Sequence, residues 1–181
     1  MEKQQGGLEM RRSLMIAAAL AATTTASVQA QTVVPELPRE GKFDITKCWA
    51  GEQTVIMIHA LERHWAFGAT YRGIARANGD ATVFDGMAFE CVSHGEWRNN
   101  VLDNERGHCF YTYDNRRDPF VTEFSITKGK GTLRLIASSL GQFHTISGGG
   151  EIAVDRPYPT LGNMRYIQGC NRAWGFYKLD P

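Results

Sequence analysis

The sequence predicts an all-β chain of eight or nine antiparallel strands, and three observations carry that prediction. Runs of aromatic and β-branched residues recur throughout, many of them alternating apolar with polar as a half-buried strand does. Short breaks rich in Gly, Asn and Asp separate them at hairpin length. Between Phe43 and Ser139 no stretch sustains a helical period. Such a chain either closes into a barrel or folds as a two-sheet sandwich.

Residues 1–30 stand outside the predicted fold. Arg11 and Arg12 precede a short apolar run, Leu14 to Ala22, and a small-residue tail ends in Val28-Gln29-Ala30. That order predicts a cleaved secretory signal, with Gln31 as the first mature residue. The apolar run is shorter than the roughly 20 residues a bilayer span needs. Met10 offers an alternative start, and Arg11-Arg12-Ser13-Leu14-Met15 also resembles a twin-arginine export signal. A periplasmic or secreted protein follows, with no membrane span after cleavage.

Residues 31–42, with Pro35 and Pro38, read as an extended lead-in, and residues 43–181 as a single domain. In the first strand Phe43, Ile45, Lys47 and Trp49 share one side. Thr54 to Leu61 is apolar on both faces, as a well-covered strand would be. Trp65, Phe67 and Tyr71 share one face of the next strand, with Thr70, Arg72 and Arg76 on the other, and Asn78-Gly79-Asp80 is a turn signal. Met87 to Thr127 reads as a three-strand meander whose first two strands carry Cys91 and Cys109. A turn at Lys128-Gly129-Lys130-Gly131 leads into Thr132–Ser138. The Gly-rich stretch from Gly141 to Gly150 precedes a short strand, Glu151–Val154, and a Pro-containing loop. Met164–Cys170 and Ala173–Lys178 close the chain.

Export would place Cys48, Cys91, Cys109 and Cys170 in an oxidising compartment, where an even number reads as a disulfide framework. Four cysteines allow three pairings. Strand order favours Cys91 with Cys109, which leaves Cys48 to join Cys170 and tie the first strand to the last. No Cys-x-x-Cys pair occurs and no histidine stands at zinc-finger spacing, so neither a metal nor a cofactor is expected. Loss of residues 1–30 takes three cations and two anions from a chain of net charge +1, leaving it neutral. No basic patch interleaved with aromatics stands out, which argues against a nucleic-acid partner.

Tyr71-Arg72-Gly73-Ile74, the cysteine strand Phe89-Glu90-Cys91-Val92, the Cys109 strand with Tyr113-Asp114-Asn115, and Gly141-Gln142-Phe143 with Ile146-Ser147-Gly148-Gly149-Gly150 resemble the allene oxide cyclase barrel-like family. The likeness is stronger to exported bacterial members than to the plant cyclases. Leu140, Gln142 and Thr145 depart from that family's small residue, lysine and glycine. The resemblance implies a calycin-like, eight-stranded antiparallel barrel with a central cavity. The cyclases' catalytic residues have no counterpart here, so cyclase activity is not implied.

The most chemical pair is Glu90 with His108, which would lie on the face opposite a Cys91–Cys109 bridge, where a carboxylate can orient a histidine as an acid/base pair. A surface ion pair is the plainer reading. The other histidines, His59, His64, His94 and His144, are scattered, and His59 to His64 lacks zinc-protease spacing. Asp114 to Asp118 reads as a hairpin turn rather than a calcium loop. Trp65, Phe67, Tyr71, Phe89, Phe110, Tyr111, Phe124 and Trp174 would either line a cavity for an apolar ligand or fill the interior. Glu123 and Arg134 lie mid-strand among apolar neighbours, a context that points one of them inward to pair with the other, either as a buried pair or for ligand recognition. The leading expectation is an exported barrel that binds a small apolar molecule or a protein partner. A cyclase- or isomerase-type enzyme working in the cavity is the alternative, and an interaction surface on loops 94–107 and 155–163 a third.

Overall fold

The computed structural model describes residues 38–80, 82–113, 118–137, 141–154 and 165–181. The expected signal segment and the Asp114–Asn115 turn therefore lie outside the described residues. Eight strands run as β1 (Glu40–His59), β2 (His64–Ala77), β3 (Ala88–Arg98), β4 (Val101–Thr112), β5 (Phe120–Thr127), β6 (Lys130–Ile136), β7 (Ile146–Val154) and β8 (Tyr166–Leu179). Each pairs antiparallel with the next, and β1 pairs with β8, so the sheet closes as a barrel rather than splitting into a sandwich. No helix among the described residues is long and apolar enough to cross a membrane.

Closure follows from alternation. Phe43, Ile45, Lys47 and Trp49 all point inward and are buried, as are Phe67, Ala69 and Tyr71 on β2. An eight-stranded barrel has an interior about wide enough for its own side chains, and here bulky rings lie over glycines of neighbouring strands. A side chain at Gly73 would strike the Cys48 carbonyl and the Phe89 ring, and one at Gly107 would strike the Val92 carbonyl and the Phe124 ring. The same pairing of glycine with aromatic keeps the sheet curved.

Both expected disulfides form. Cys91 and Cys109 stand directly opposite on β3 and β4, fully buried, with Cα atoms 4.0 Å apart. Cys48 and Cys170 stand opposite on β1 and β8, 4.1 Å apart, on the outer wall. One bridge lies in the core, and the other seams the first strand to the last.

Several boundaries differ from the sequence reading, each for a local reason. β1 begins at Glu40 inside the expected lead-in, because Glu40 pairs with Lys178 and the Arg39 carbonyl accepts from the Leu179 N–H at 2.6 Å. β3 and β4 run through the segment read as the 94–107 loop. Asn99 and Asn100 both hold positive φ (52° and 62°), so two residues suffice for the turn. β7 starts at Ile146 and takes in the glycine run, which β6 and β8 flank closely on either side. Asp118 accepts from the Gln142 N–H at 2.8 Å and ties two end loops together.

One end of the barrel is stoppered. Phe84, in the loop after β2, is 1 % exposed and its ring meets those of Phe43, Phe120, Phe143 and Tyr177 at centroid distances of 5.5, 5.0, 5.9 and 5.7 Å. Its backbone holds φ of 66°, a conformation that costs a bulky L-residue on the order of 1–2 kcal/mol. Burial of the ring offsets that cost.

Candidate functional site

The interior is aromatic at the stoppered end and polar in its middle. Of the rings expected to line a cavity, Phe67, Tyr71 and Phe89 do point inward, but they pack on other rings. Phe67 meets Trp97 at 5.7 Å, Tyr71 meets Trp49 at 4.6 Å, and Phe89 meets Tyr111 at 5.5 Å. Tyr111 also stacks on Phe120 at 4.9 Å. Phe110 and Trp174 face outward, because they alternate with the buried Cys109, Tyr111, Ala173 and Tyr177. Arg172 lies 5.7 Å from the Trp174 ring. Trp65 is half-buried, opposite Trp97 and Met57 near the far end of the barrel. The expected aromatic set is thus divided between a packed core and the outer wall.

Lys47 and Glu105 are the charged residues of the core, 2 % and 5 % exposed. Lys47 follows the alternation of Phe43 and Ile45, and its ammonium sits 5.7 Å from the centroids of both Phe89 and Tyr111. Such cation–π contacts partly replace lost hydration. The Glu105 carboxylate accepts from the Tyr71 hydroxyl at 3.2 Å. Burial pushes the Glu105 carboxyl above the usual range, against the opposing pull of the Ser93 and Tyr71 hydroxyls and the charges of Lys47 and His94. Asn171, the partner of Lys47 in the β1–β8 register, has a buried side-chain oxygen with no hydrogen-bond partner among the described residues, as do the Thr122 and Tyr111 hydroxyls. The middle of the barrel is therefore a polar layer, sealed from solvent.

A pH dependence follows. Because folding raises the Glu105 pKa, the native state holds that proton more tightly than the unfolded chain. Its contribution to stability is full below the usual glutamate range and is lost as pH rises through the folded value. Denaturant midpoints measured over that window should fall with pH in the native sequence, by at most about 1.4 kcal/mol per pH unit for one proton. Glu105→Gln should flatten the slope, and an equal slope in both proteins would remove Glu105 as its source.

Glu90 and His108 are not directly opposite across the strands but are diagonal neighbours bordering one outer groove. Glu90 stands opposite Phe110, and His108 opposite Val92 and Glu123. Both are on the outer wall, as expected, but the Glu90 carboxylate accepts from Arg72 Nη2 at 2.7 Å. Glu123 and Arg134 do pair, at 2.6 Å, yet outside the barrel rather than inside it: both side chains are well exposed. Their strand positions carry the outward parity set by the buried Thr122, Phe124, Leu133 and Leu135. A carboxylate at one outward position faces a guanidinium at another, so their apolar chain neighbours give no guide to direction.

The largest departure from expectation lies at the end of β1. The apolar run from Thr54 predicts a covered strand, whereas Ile56, Met57, Ile58 and Leu61 are 68 %, 50 %, 52 % and 93 % exposed. β1 continues to His59 beside β2, but its ladder with β8 stops at Glu52–Tyr166. Among the described residues, the last backbone link on that side is the Gln53 N–H donating to the Arg165 carbonyl at 2.7 Å. Strand alternation points the N–H groups of Val55 and Met57 the same way as that of Gln53. Among the described residues no strand pairs with that edge. The β1–β2 turn is charged at Glu62 and Arg63, and His64 is fixed by Glu96 at 2.9 Å.

Comparisons with protein-family models, curated proteins and solved structures give no match for this chain. The functional reading rests on the geometry itself.

Proposed function

We propose that this is an exported, disulfide-braced barrel that works by binding, and that it takes an extended, uncharged apolar segment of a protein partner along the edge of β1 that no described strand pairs with. The observation that carries this is the overhang of Thr54–Ile58, where backbone groups without a ladder partner among the described residues run beside exposed Ile56, Met57 and Ile58. An open, apolar strand edge is a hazard that folded proteins ordinarily blunt. Adding a strand satisfies its donors and acceptors while burying alternate side chains. The packed rings in the barrel favour this partner over a small apolar molecule held inside. Two disulfides suit an oxidising environment, and export by cleavage before Gln31, to the periplasm or beyond, accords with them. Kinship with the allene oxide cyclase barrel-like group is part of the proposal at the level of fold alone. The alternative, a cyclase or isomerase acting inside, rests on Glu105 and Tyr71, which are enclosed by core side chains.

A strand-forming hexapeptide of Val and Thr serves as the probe. Its binding should slow hydrogen exchange at the Val55 and Met57 amides, and Met57→Pro, which removes one edge donor from an exposed position, should weaken binding about tenfold. Absence of protection at saturating peptide would end the reading. Concentration-dependent protection without peptide would instead assign the edge to a second copy of this chain.

A further inference from the structure

A second surface lies on the outer wall across β3 to β6, away from the β1 edge. His94 stands opposite Arg106, Val92 opposite His108, and Arg106 opposite Ser125, which stands in turn opposite Thr132. These outward positions border a groove of about 570 Å³, also lined by Glu123 and Arg134. Its floor is low because Ser125 and Thr132 are small where the neighbouring outward positions carry long side chains. Both supply hydroxyl donors. Its rim is cationic: Arg134 is engaged by Glu123, while no carboxylate among the described residues forms an ion pair with Arg106.

The juxtaposition of His94 with Arg106 is unfavourable when both are charged, since like charges directly opposite on a sheet repel. An anion between them reverses that sign. The other charges near the groove are accounted for. Glu123 faces His108 but is bonded to Arg134, and Glu151 on β7 stands opposite Thr132. The Arg72–Glu90 pair is one position beyond Val92 and His108, and Glu105 lies behind the wall.

We propose that this groove binds a small oxyanion through the Arg106 guanidinium and the Ser125 and Thr132 hydroxyls, and that protonation of His94 and His108 tightens the site. Arginine offers a fork that matches planar and tetrahedral oxyanions, and histidine is the side chain whose charge changes across mildly acidic pH. Binding is thereby greater in an acidified compartment than at neutral pH.

The test is titration of the full chain with inorganic sulfate, followed through backbone amide shifts at pH 8.0 and pH 5.5 in constant ionic strength. Sulfate should bind on the order of tenfold more tightly at the lower pH, since two added cations beside the groove attract the anion and salt screens only part of that attraction. Arg106→Gln should weaken binding about tenfold at both pH values. The double variant His94→Gln/His108→Gln should keep the pH 8.0 affinity and lose the gain on acidification. Lys42→Gln, which removes an exposed cation of β1, should change neither. Parallel titrations with acetate and phosphate distinguish a planar carboxylate from a tetrahedral oxyanion as the group preferred. Equal weakening by Lys42→Gln and Arg106→Gln would reduce the effect to general charge attraction and overturn the site. So would a full acid gain in the double histidine variant, or no binding at pH 5.5.

Discussion

Replacing Cys48 and Cys170 together by alanine should lower unfolding stability by about 5 kcal/mol, the largest loss from any pair of substitutions outside the core. The bridge spans a sequence separation of 122 residues, and in the chain-entropy account a loop of that size constrains the unfolded state by about that amount. The corresponding figure for Cys91–Cys109, separated by 18 residues, is about 3 kcal/mol. The two bridges differ in a second way. Cys91 and Cys109 are fully buried, with Tyr71 and Thr122 opposite them on the flanking strands, so their replacement also leaves unfilled space in the core, and the entropic ranking is compared most cleanly with serine and alanine variants of each pair. Cys48–Cys170 lies on the outer wall over the β1–β8 seam, where the loss is almost wholly one of connectivity. Urea midpoints without reductant, so that the remaining bridges stay intact, measure both. A Cys48/Cys170 loss below about 2 kcal/mol would mean that the unfolded chain keeps its ends together without the bridge.

Phe84→Ala should cost about 3–5 kcal/mol, as truncation of a fully buried aromatic does. The ring is the shared contact of Phe43, Phe120, Phe143 and Tyr177, so its removal leaves four rings facing a cavity at the stoppered end. Alanine keeps the unfavourable positive φ while losing the burial that offsets it. Phe176→Ala is the matched control, because Phe176 is 62 % exposed on β8 and should change stability by less than about 0.5 kcal/mol. Thermal or urea unfolding of both variants decides the point. A Phe84 loss under about 1 kcal/mol would show that the loop after β2 collapses onto the barrel and closes the gap.

The alternation of Phe43, Ile45, Lys47 and Trp49 sufficed to place β1 and to orient its inner face, since side-chain direction in a strand is a local, period-two property. Local chemistry likewise identified the meander through Cys91 and Cys109, and strand order chose both cysteine pairs. Turn chemistry was less legible. Asn99–Asn100 supports a two-residue hairpin that the charged, polar stretch around it disguises as a loop. Phe84 escaped notice because a ring in a turn belongs to no periodic pattern. Its burial depends on four residues from distant strands.

The sequence by itself determined where most strands lie, which side of most of them faces inward, and which cysteines can meet, because these follow from propensity, alternation and chain order. Only the tertiary structure decided what each face meets. Thr54 to Leu61 looks like a covered strand, but covering requires β8 to run as far as β1 does, and among the described residues their ladder reaches only Glu52–Tyr166. Lys47 and Glu105, in register positions far apart in the chain, meet in one sealed layer only because the barrel closes. The outward Glu123–Arg134 pair and the Arg106–Ser125–Thr132 groove arise the same way. Register between non-adjacent segments assembles them, and register is fixed by the whole sheet at once rather than by any one strand.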